Sequence, residues 1–314
     1  MSTDKDIIII DDTQHDEQLS HDENAPVITI ERGEAADTHG REVPNPPRPA
    51  SKWLRMLFIL LGIAIILVGA WGSWRVYCYY YRIGVPISVS PSENINKLQR
   101  KAQEVVGPHV ILATDTVAGM VLNIYKLRGL QAEVTTQEPD TSDTSVMIYS
   151  RSADYMDNGE YIGSMVMRGE KKRSDVSRVG YCGMANGNVV IGVSRSDKVM
   201  DYCQQQGGSF FRQFVLLSDG IMPACFYLYG QVERRALART SDDQLYLTET
   251  LHKETLWDFA DALRNYGFVD AIYLTGGTCH SWYRSQDGAI HHMGNPNEHP
   301  SHKDIAPWIV FRRR

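Results

Sequence analysis

Residues 255–284 read TLWDFADALRNYGFVDAIYLTGGTCHSWYR, and this stretch decides the fold. Thr255 followed three residues later by Asp258 is a helix N-terminal capping pattern. Apolar residues then recur at helical spacing as far as Gly267, which predicts an amphipathic helix that ends at this glycine. The next run, Val269–Leu274, is short, apolar and β-favouring. It therefore predicts a buried strand that ends at two consecutive glycines.

The turn after this strand is the first candidate for a ligand site. Thr275, Gly276 and Gly277 would form its floor, because glycines let a ligand approach main-chain N–H groups closely. The same glycines are also consistent with a tight turn and nothing more. His280 follows directly, and an imidazole can exchange a proton near neutral pH. A single histidine is also consistent with an ordinary hydrogen-bonded polar residue.

The stretch resembles the signature of the phosphodiester glycosidase family. In that family a T-L-x-E-L-A helix leads to an A-(L/I)-N-L-D-G-G-G-S strand and turn. Residues Arg234–Ala238 stand where the family has an R-T-A-(I/L)-G strand, and Ala185–Asn188 is similar to its N-G-G element. The resemblance covers roughly residues 105–314. It implies a hydrolase that acts on glycosyl phosphodiesters, in which Arg234 binds phosphate and Asn186 contacts the ligand. Arg234 is equally consistent with an exposed strand arginine paired with a carboxylate, in which case Arg235 or Arg239 could bind the phosphate, and Asn186 with an Asn-Gly turn.

Three positions depart from the family signature. Thr275 replaces its aspartate, Thr278 its third glycine and Cys279 its serine. A threonine cannot act as an acid or base at neutral pH. The first hypothesis is therefore an enzyme in which His280 transfers protons beside Thr275. In such an enzyme, a carboxylate from another part of the chain would replace that of the family's aspartate. The candidates are Asp270, Asp287 and Glu298. The alternative is an inactive domain of the same fold that binds a glycan or takes part in an envelope assembly.

Other side chains near the turn allow two interpretations. Trp282 and Tyr283 beside Arg284 suit stacking against a sugar ring, and equally suit packing in the core. Four histidines lie close together in a proline-containing loop, and their imidazoles could bind a metal ion. They are His291, His292, His299 and His302. No helix fixes their spacing and no partner carboxylate is evident, so we expect no metal and no cofactor.

Residues 53–75 predict a single transmembrane helix. The run Leu57–Ala70 contains no charged residue, and with its flanks it reaches the ~20 residues that cross a bilayer. Tryptophan and tyrosine lie at both ends, as in interfacial aromatic belts. Arg48, Lys52 and Arg55 precede the run, which favours a cytoplasmic N-terminus and a C-terminal domain outside. We expect a single-pass protein of a bacterial inner membrane with a periplasmic domain.

The acidity of the chain lies in its N-terminal tail. Residues 1–50 hold 12 acidic and 4 basic side chains, whereas the whole chain has a net charge of −6. The remainder is therefore slightly basic, and we expect no nucleic-acid partner. Residues 1–52 predict a disordered cytoplasmic tail that could bind a cytoplasmic partner. The partners expected for the rest of the chain are the bilayer and a glycan or sugar-phosphate ligand.

The C-terminal part predicts an α+β ectodomain. A juxtamembrane segment and helix would occupy residues 76–104, with a helix that begins at Ser90-Pro91 and ends at Gly107-Pro108. Residues 105–314 would form a mixed β-sheet domain with few flanking helices, because many short β-like runs do not alternate with helices. These runs include Ala224–Tyr229, and Glu170–Asp175 is expected to be a loop. Cys182, Cys203, Cys225 and Cys279 could form disulfides or remain buried thiols.

Overall fold

A computed structural model describes residues 52–82, 91–102, 106–223, 226, 228 and 230–313, with the side chains of residues 75 and 77–82 left aside. Three of the sequence predictions fall outside the described residues. They concern the N-terminal tail, most of the run 224–229, and Cys225. The helices are α1 (Lys52–Arg82), α2 (Pro91–Gln99), α3 (Lys198–Gln205) and α4 (Leu256–Tyr266). Of these described helices, α1 is the one long and apolar enough, by length and composition, to cross a bilayer.

Sixteen strands are present in the described part of the chain. They are β1 (His109–Val117), β2 (Met120–Arg128), β3 (Leu130–Thr135), β4 (Val146–Arg151), β5 (Met165–Met167), β6 (Glu170–Arg173), β7 (Gly180–Ala185), β8 (Asn188–Val193), β9 (Ser209–Gln213), β10 (Val215–Leu217), β11 (Arg235–Arg239), β12 (Leu245–Thr250), β13 (Asp270–Leu274), β14 (Ser281–Arg284), β15 (Ile290–Met293) and β16 (Trp308–Arg313).

The strands form three sheets. The first has the order β1-β2-β12-β11-β13-β10, the second β15-β14-β4-β16-β3 and the third β6-β5-β9-β7-β8. Every ladder between these strands is antiparallel, so the expected mixed sheet is corrected to antiparallel sheets. The domain is mostly β-sheet with few helices, which agrees with the α+β class.

One apolar core joins the three sheets. Ile272 of the first sheet, Ile309 of the second and Phe211 of the third belong to the same buried cluster. Helices cover the other faces: Phe259 and Leu263 of α4 pack on the first sheet, and α2 and α3 pack with the third. The three sheets therefore share one core, and the candidate site lies where one strand of each sheet ends.

The helix α4 forms as its sequence predicts. The hydroxyl of Thr255 accepts a hydrogen bond from the backbone N–H of Asp258 at 3.1 Å, and Gly267 ends the helix in the left-handed region with φ +105°. Other boundaries differ from prediction. Helix α2 ends at Gln99, before the expected Gly107-Pro108. The charged segment 170–173 is an edge strand with exposed side chains rather than a loop.

Candidate functional site

The turn after β13 needs both of its glycines for structural reasons. Gly276 has φ +69°, a conformation that favours glycine. A Cβ at Gly277 would lie 2.1 Å from the carbonyl oxygen of Glu233, so the backbone leading into β11 leaves no room for a side chain. The N–H of Cys279 donates to the carbonyl of Gly276 at 2.9 Å and closes the turn. The geometry of the turn is therefore fixed by the first sheet.

A carboxylate from another sheet reaches Thr275. The hydroxyl of Thr275 donates to Oδ1 of Asp154 at 2.6 Å, and Asp154 lies three residues beyond the end of β4. The amide of Gln213, which is buried at the end of β9, donates to Oδ2 of Asp154 at 3.1 Å and to the Thr275 hydroxyl at 3.1 Å. These three side chains form a closed hydrogen-bonded triangle. A carboxylate from the second sheet thus stands beside Thr275.

The three carboxylates that the sequence suggested for this role lie elsewhere. Asp270 is paired with Arg239 at the opposite end of β13, and Asp287 accepts a hydrogen bond from Ser285 in the turn between β14 and β15. Glu298 accepts from the hydroxyl of Thr278 but is not among the partners of Thr275. Asp154 belongs to no motif, and no signal in the sequence marks it.

Three arginines lie near the triangle: Arg178 interacts electrostatically with Asp154, and Arg151, Arg234 and Asp154 all act on Tyr273. Arg151 ends β4, Arg178 precedes β7 and Arg234 precedes β11. None of the three forms an ion pair with a carboxylate within the described part of the chain. The Nε atoms of Arg151 and Arg178 are buried without a hydrogen-bond partner among the described residues. An anionic ligand would satisfy such donors.

Arg234 is placed more deeply than expected. It is buried, and its guanidinium donates to the carbonyl oxygens of Glu254 at 3.0 Å and Gly230 at 2.8 Å. It also lies 3.4 Å from the hydroxyl of Tyr273, whose pKa is raised by burial and lowered in part by Arg234. Arg234 thus anchors the turn region and contributes positive charge, while Arg151 and Arg178 carry the free donors. Burial lowers the pKa of Arg178.

His280 belongs to a separate cluster and has no hydrogen bond to the triangle among the described residues. Its Nε2 is 2.9 Å from Nδ1 of His292, and its Nδ1 is 4.0 Å from Oε1 of Glu138. The ring of His299 meets it edge-on at 5.7 Å between centroids. Burial, and then the neighbouring His292, lower the pKa of His280. We call Glu138, His280, His292 and His299 the histidine cluster.

The remaining predicted site residues lie elsewhere. Trp282 and Tyr283 are buried on β14, where Tyr149 packs edge-on against Trp282 and Tyr125 packs against Tyr283. Arg284 is also buried and donates to backbone carbonyls, including that of Thr141 at 2.7 Å. These three residues belong to the core rather than to a sugar-binding surface, because both faces of β14 are covered.

Asn186 is also remote from the turn in its contacts. It lies between β7 and β8 with φ +52°, and its amide donates to the carbonyl of Leu98 and to the hydroxyl of Tyr202. It lines a cleft of about 190 Å³ with Arg168 and other residues, none of which belongs to the turn. A larger cleft, of about 490 Å³, is lined by Lys97 and Asp243 among others and likewise excludes the turn.

The described cysteines are thiols. Cys182, Cys203 and Cys279 are buried and unpaired. Burial raises the pKa of Cys203 to about 12 and that of Cys182 in the same direction. They therefore behave as small apolar side chains, the second of the two readings of the sequence.

No family model matches the chain, and no curated protein matches it. Among solved structures, it is similar to the catalytic domain of zebrafish N-acetylglucosamine-1-phosphodiester alpha-N-acetylglucosaminidase, auto-inhibited by its pro-peptide. The identity is 14%, the match covers 68% of this chain and 86% of that chain, and the TM-score is 0.47. This is a distant structural similarity.

Proposed function

We propose that the domain formed by residues 105–314 binds a glycosyl phosphodiester and hydrolyses it beside Thr275. The observation that carries the proposal is the carboxylate of Asp154, hydrogen-bonded to Thr275, with three guanidinium groups nearby that form no ion pair with a carboxylate of the described chain. Three guanidinium groups against one carboxylate give the site an excess of positive charge, which attracts an anionic substrate. The resemblance of residues 255–284 to the phosphodiester glycosidase signature supports the same substrate class.

The chemistry follows from the groups present. A phosphodiester carries one negative charge, and the unpartnered N–H groups of Arg151 and Arg178 can donate to its oxygens. The departing phosphate monoester is a stable anion, so cleavage of the sugar–oxygen bond needs little help from an acid. Asp154 can then remove a proton from the attacking water, which leaves a free sugar and a phosphate monoester. Thr275 and Gln213 hold the carboxylate in place for this step.

A second candidate function is binding without catalysis. It is favoured by Thr275 in the position of the family's aspartate and by Arg234, whose guanidinium is already held by backbone carbonyls. In that case the domain would recognise a sugar phosphate or take part in an envelope assembly. The two functions differ in whether the charge of Asp154 matters for turnover.

The deciding experiment measures release of free sugar from a panel of sugar 1-phosphodiesters by the purified full chain in detergent. We expect Asp154→Asn to reduce kcat at least ~100-fold, since general base catalysis contributes about 10²–10⁴-fold. Thr275→Val should cost about tenfold through one lost hydrogen bond. Asp287→Asn, in an exposed turn, is the matched control. Wild-type turnover in Asp154→Asn would contradict the proposal.

Binding separates the two candidates if no substrate turns over. Arg151→Gln should then weaken affinity for the sugar phosphodiesters, which would identify a recognition domain. Absence of both turnover and binding in the folded wild-type chain would exclude both functions for these ligands.

We propose in addition that α1 anchors the chain, with residues 1–52 in the cytoplasm and residues 105–314 in the periplasm of a bacterial inner membrane. The support is the apolar length of residues 52–74 and the basic residues that precede them. Trypsin should remove an N-terminal epitope from inverted vesicles and spare it in spheroplasts. Cleavage in spheroplasts and protection in inverted vesicles would show the opposite orientation, with the N-terminus outside the cytoplasm. A cytoplasmic partner for the acidic tail is part of the same proposal.

A further inference from the structure

The histidine cluster has the composition of a metal site. Glu138, His280 and His299 each offer one ligand atom, and the three atoms lie within 4.8 Å of one another. Two imidazole nitrogens and one carboxylate oxygen form a donor set that suits Zn²⁺, with a fourth position left for water. The residues come from three separate segments, and no spacing in the sequence connects Glu138 to the histidines.

The strongest observation is the state of His280. Its Nδ1 is buried and has no hydrogen-bond partner among the described residues, although Oε1 of Glu138 is 4.0 Å away. A buried ring nitrogen without a partner is costly. A metal ion between these two atoms would satisfy both of them.

The surrounding hydrogen bonds fit the same arrangement. If Nδ1 of His280 binds the metal, Nε2 carries the proton and donates to Nδ1 of His292 at 2.9 Å. Metal-binding histidines generally donate their other N–H in this way. The carboxylate is oriented too, because the hydroxyl of the buried Tyr149 donates to Oε1 of Glu138 at 3.0 Å. The backbone N–H of His280 donates to the carbonyl of Glu298 at 2.8 Å and fixes the position of the ring.

The geometry requires only a small closure. Tetrahedral ligands with bonds of about 2.0–2.2 Å lie roughly 3.3–3.6 Å apart. The ligand atoms here lie within 4.8 Å of one another, so no separation exceeds that range by more than about 1.5 Å, and the exposed His299 can move by this amount. We propose that Glu138, His280 and His299 bind one divalent zinc ion, with His292 as the hydrogen-bonding residue behind His280. The proposal depends on neither candidate function of the Asp154 triangle.

Two histidines of the same region serve as matched controls. His291 stacks on Tyr283 at 4.9 Å between centroids and contacts Ser285, whereas His302 packs against Tyr155. Neither is among the three candidate ligands. Of the four histidines considered from the sequence, His299 is therefore a ligand, His292 lies behind His280, and His291 and His302 take no part in the site.

The test is zinc titration of the full chain, purified without a histidine tag and stripped with a chelator, against a chromogenic zinc indicator. We expect one tight site per chain, weakened at least tenfold by Glu138→Gln, His280→Ala or His299→Ala. His291→Ala and His302→Ala should bind as the wild type does, and they retain the same tail histidines. Cobalt should give a tetrahedral absorption band that His280→Ala abolishes.

Two results would overturn the proposal. One is a wild-type chain that binds zinc no more tightly than the His280→Ala and His299→Ala variants. The other is a site lost equally in His291→Ala or His302→Ala. Near-ultraviolet circular dichroism of each variant excludes unfolding as the cause, and His299→Ala removes an exposed side chain that the fold does not need.

Discussion

The buried ion pair between Arg235 and Glu249 gives the sharpest stability prediction. Arg235 Nε donates to Oε2 of Glu249 at 2.9 Å, and the side-chain exposures are 0% and 7%. Nη1 of Arg235 also donates to the carbonyl of Cys279 at 3.1 Å and to the hydroxyl of Ser281 at 2.8 Å. This one side chain therefore joins β11 and β12 of the first sheet to the turn and to β14 of the second.

Arg235→Met removes the cation and leaves the buried carboxylate of Glu249 with two neutral donors, the hydroxyl of Tyr125 at 2.6 Å and the amide of Asn123 at 3.2 Å. Breaking one partner of a buried pair typically costs about 3–5 kcal/mol. That is a large part of the roughly 5–15 kcal/mol that stabilises a domain. We expect the free energy of unfolding, measured in urea on the full chain in detergent, to fall by this amount.

Two further variants make the reasoning testable. Adding Glu249→Gln to Arg235→Met should recover at least about 1 kcal/mol, because it removes the unpaired buried charge. The control is Arg264→Met, which breaks an exposed helix pair with Asp261 and should cost about 0–1 kcal/mol. A cost below about 1 kcal/mol for Arg235→Met, or a double variant less stable than the single one, would refute the argument.

Two other predictions concern acid and helix stability. Hydrogen bonds from Ser145 and Arg312 lower the pKa of Asp143 from 3.8 to about 2. Because the folded pKa lies below the unfolded one, the stabilisation is present above pH ~4 and is lost as the pH falls towards 2. Arg312→Met should therefore reduce the loss of Tm over this range, and an unchanged acid profile would count against the pair. Thr255→Ala should destabilise α4 by about 1 kcal/mol, whereas Thr255→Ser, which keeps the hydroxyl, should cost less. Equal melting temperatures for the two would show that the cap contributes nothing.

The parts of the fold that sequence predicted well depend on local interactions. The cap at Thr255, the helical spacing of Leu256 and Phe259, and the glycine at position 267 act within one or two turns, so α4 and the following strand were placed correctly. The segment 170–173 was missed as a strand because its side chains are all polar and face solvent at a sheet edge. Sequence alone could not distinguish such an edge strand from a loop.

The candidate site could be predicted only in part, because its contacts are long-range. The turn at Thr275 was found from its glycines, but Asp154 is 121 residues away and carries no motif. Trp282, Tyr283 and Arg284 follow the turn directly, and only the pairing of β14 between β4 and β15 shows that they are buried. Glu138 likewise joins His280 through the fold and not through spacing.

Each member of the triangle of Asp154, Gln213 and Thr275 lies at or just beyond the end of a strand from a different sheet. Its members are 59, 62 and 121 residues apart in sequence, so none of its hydrogen bonds can form from a locally folded segment. Closing such long loops is slow relative to forming hairpins such as β1–β2. Anion binding at this triangle should therefore appear late in refolding, after the individual sheets have formed. A ligand for this site would serve as a reporter of the last assembly step of the domain.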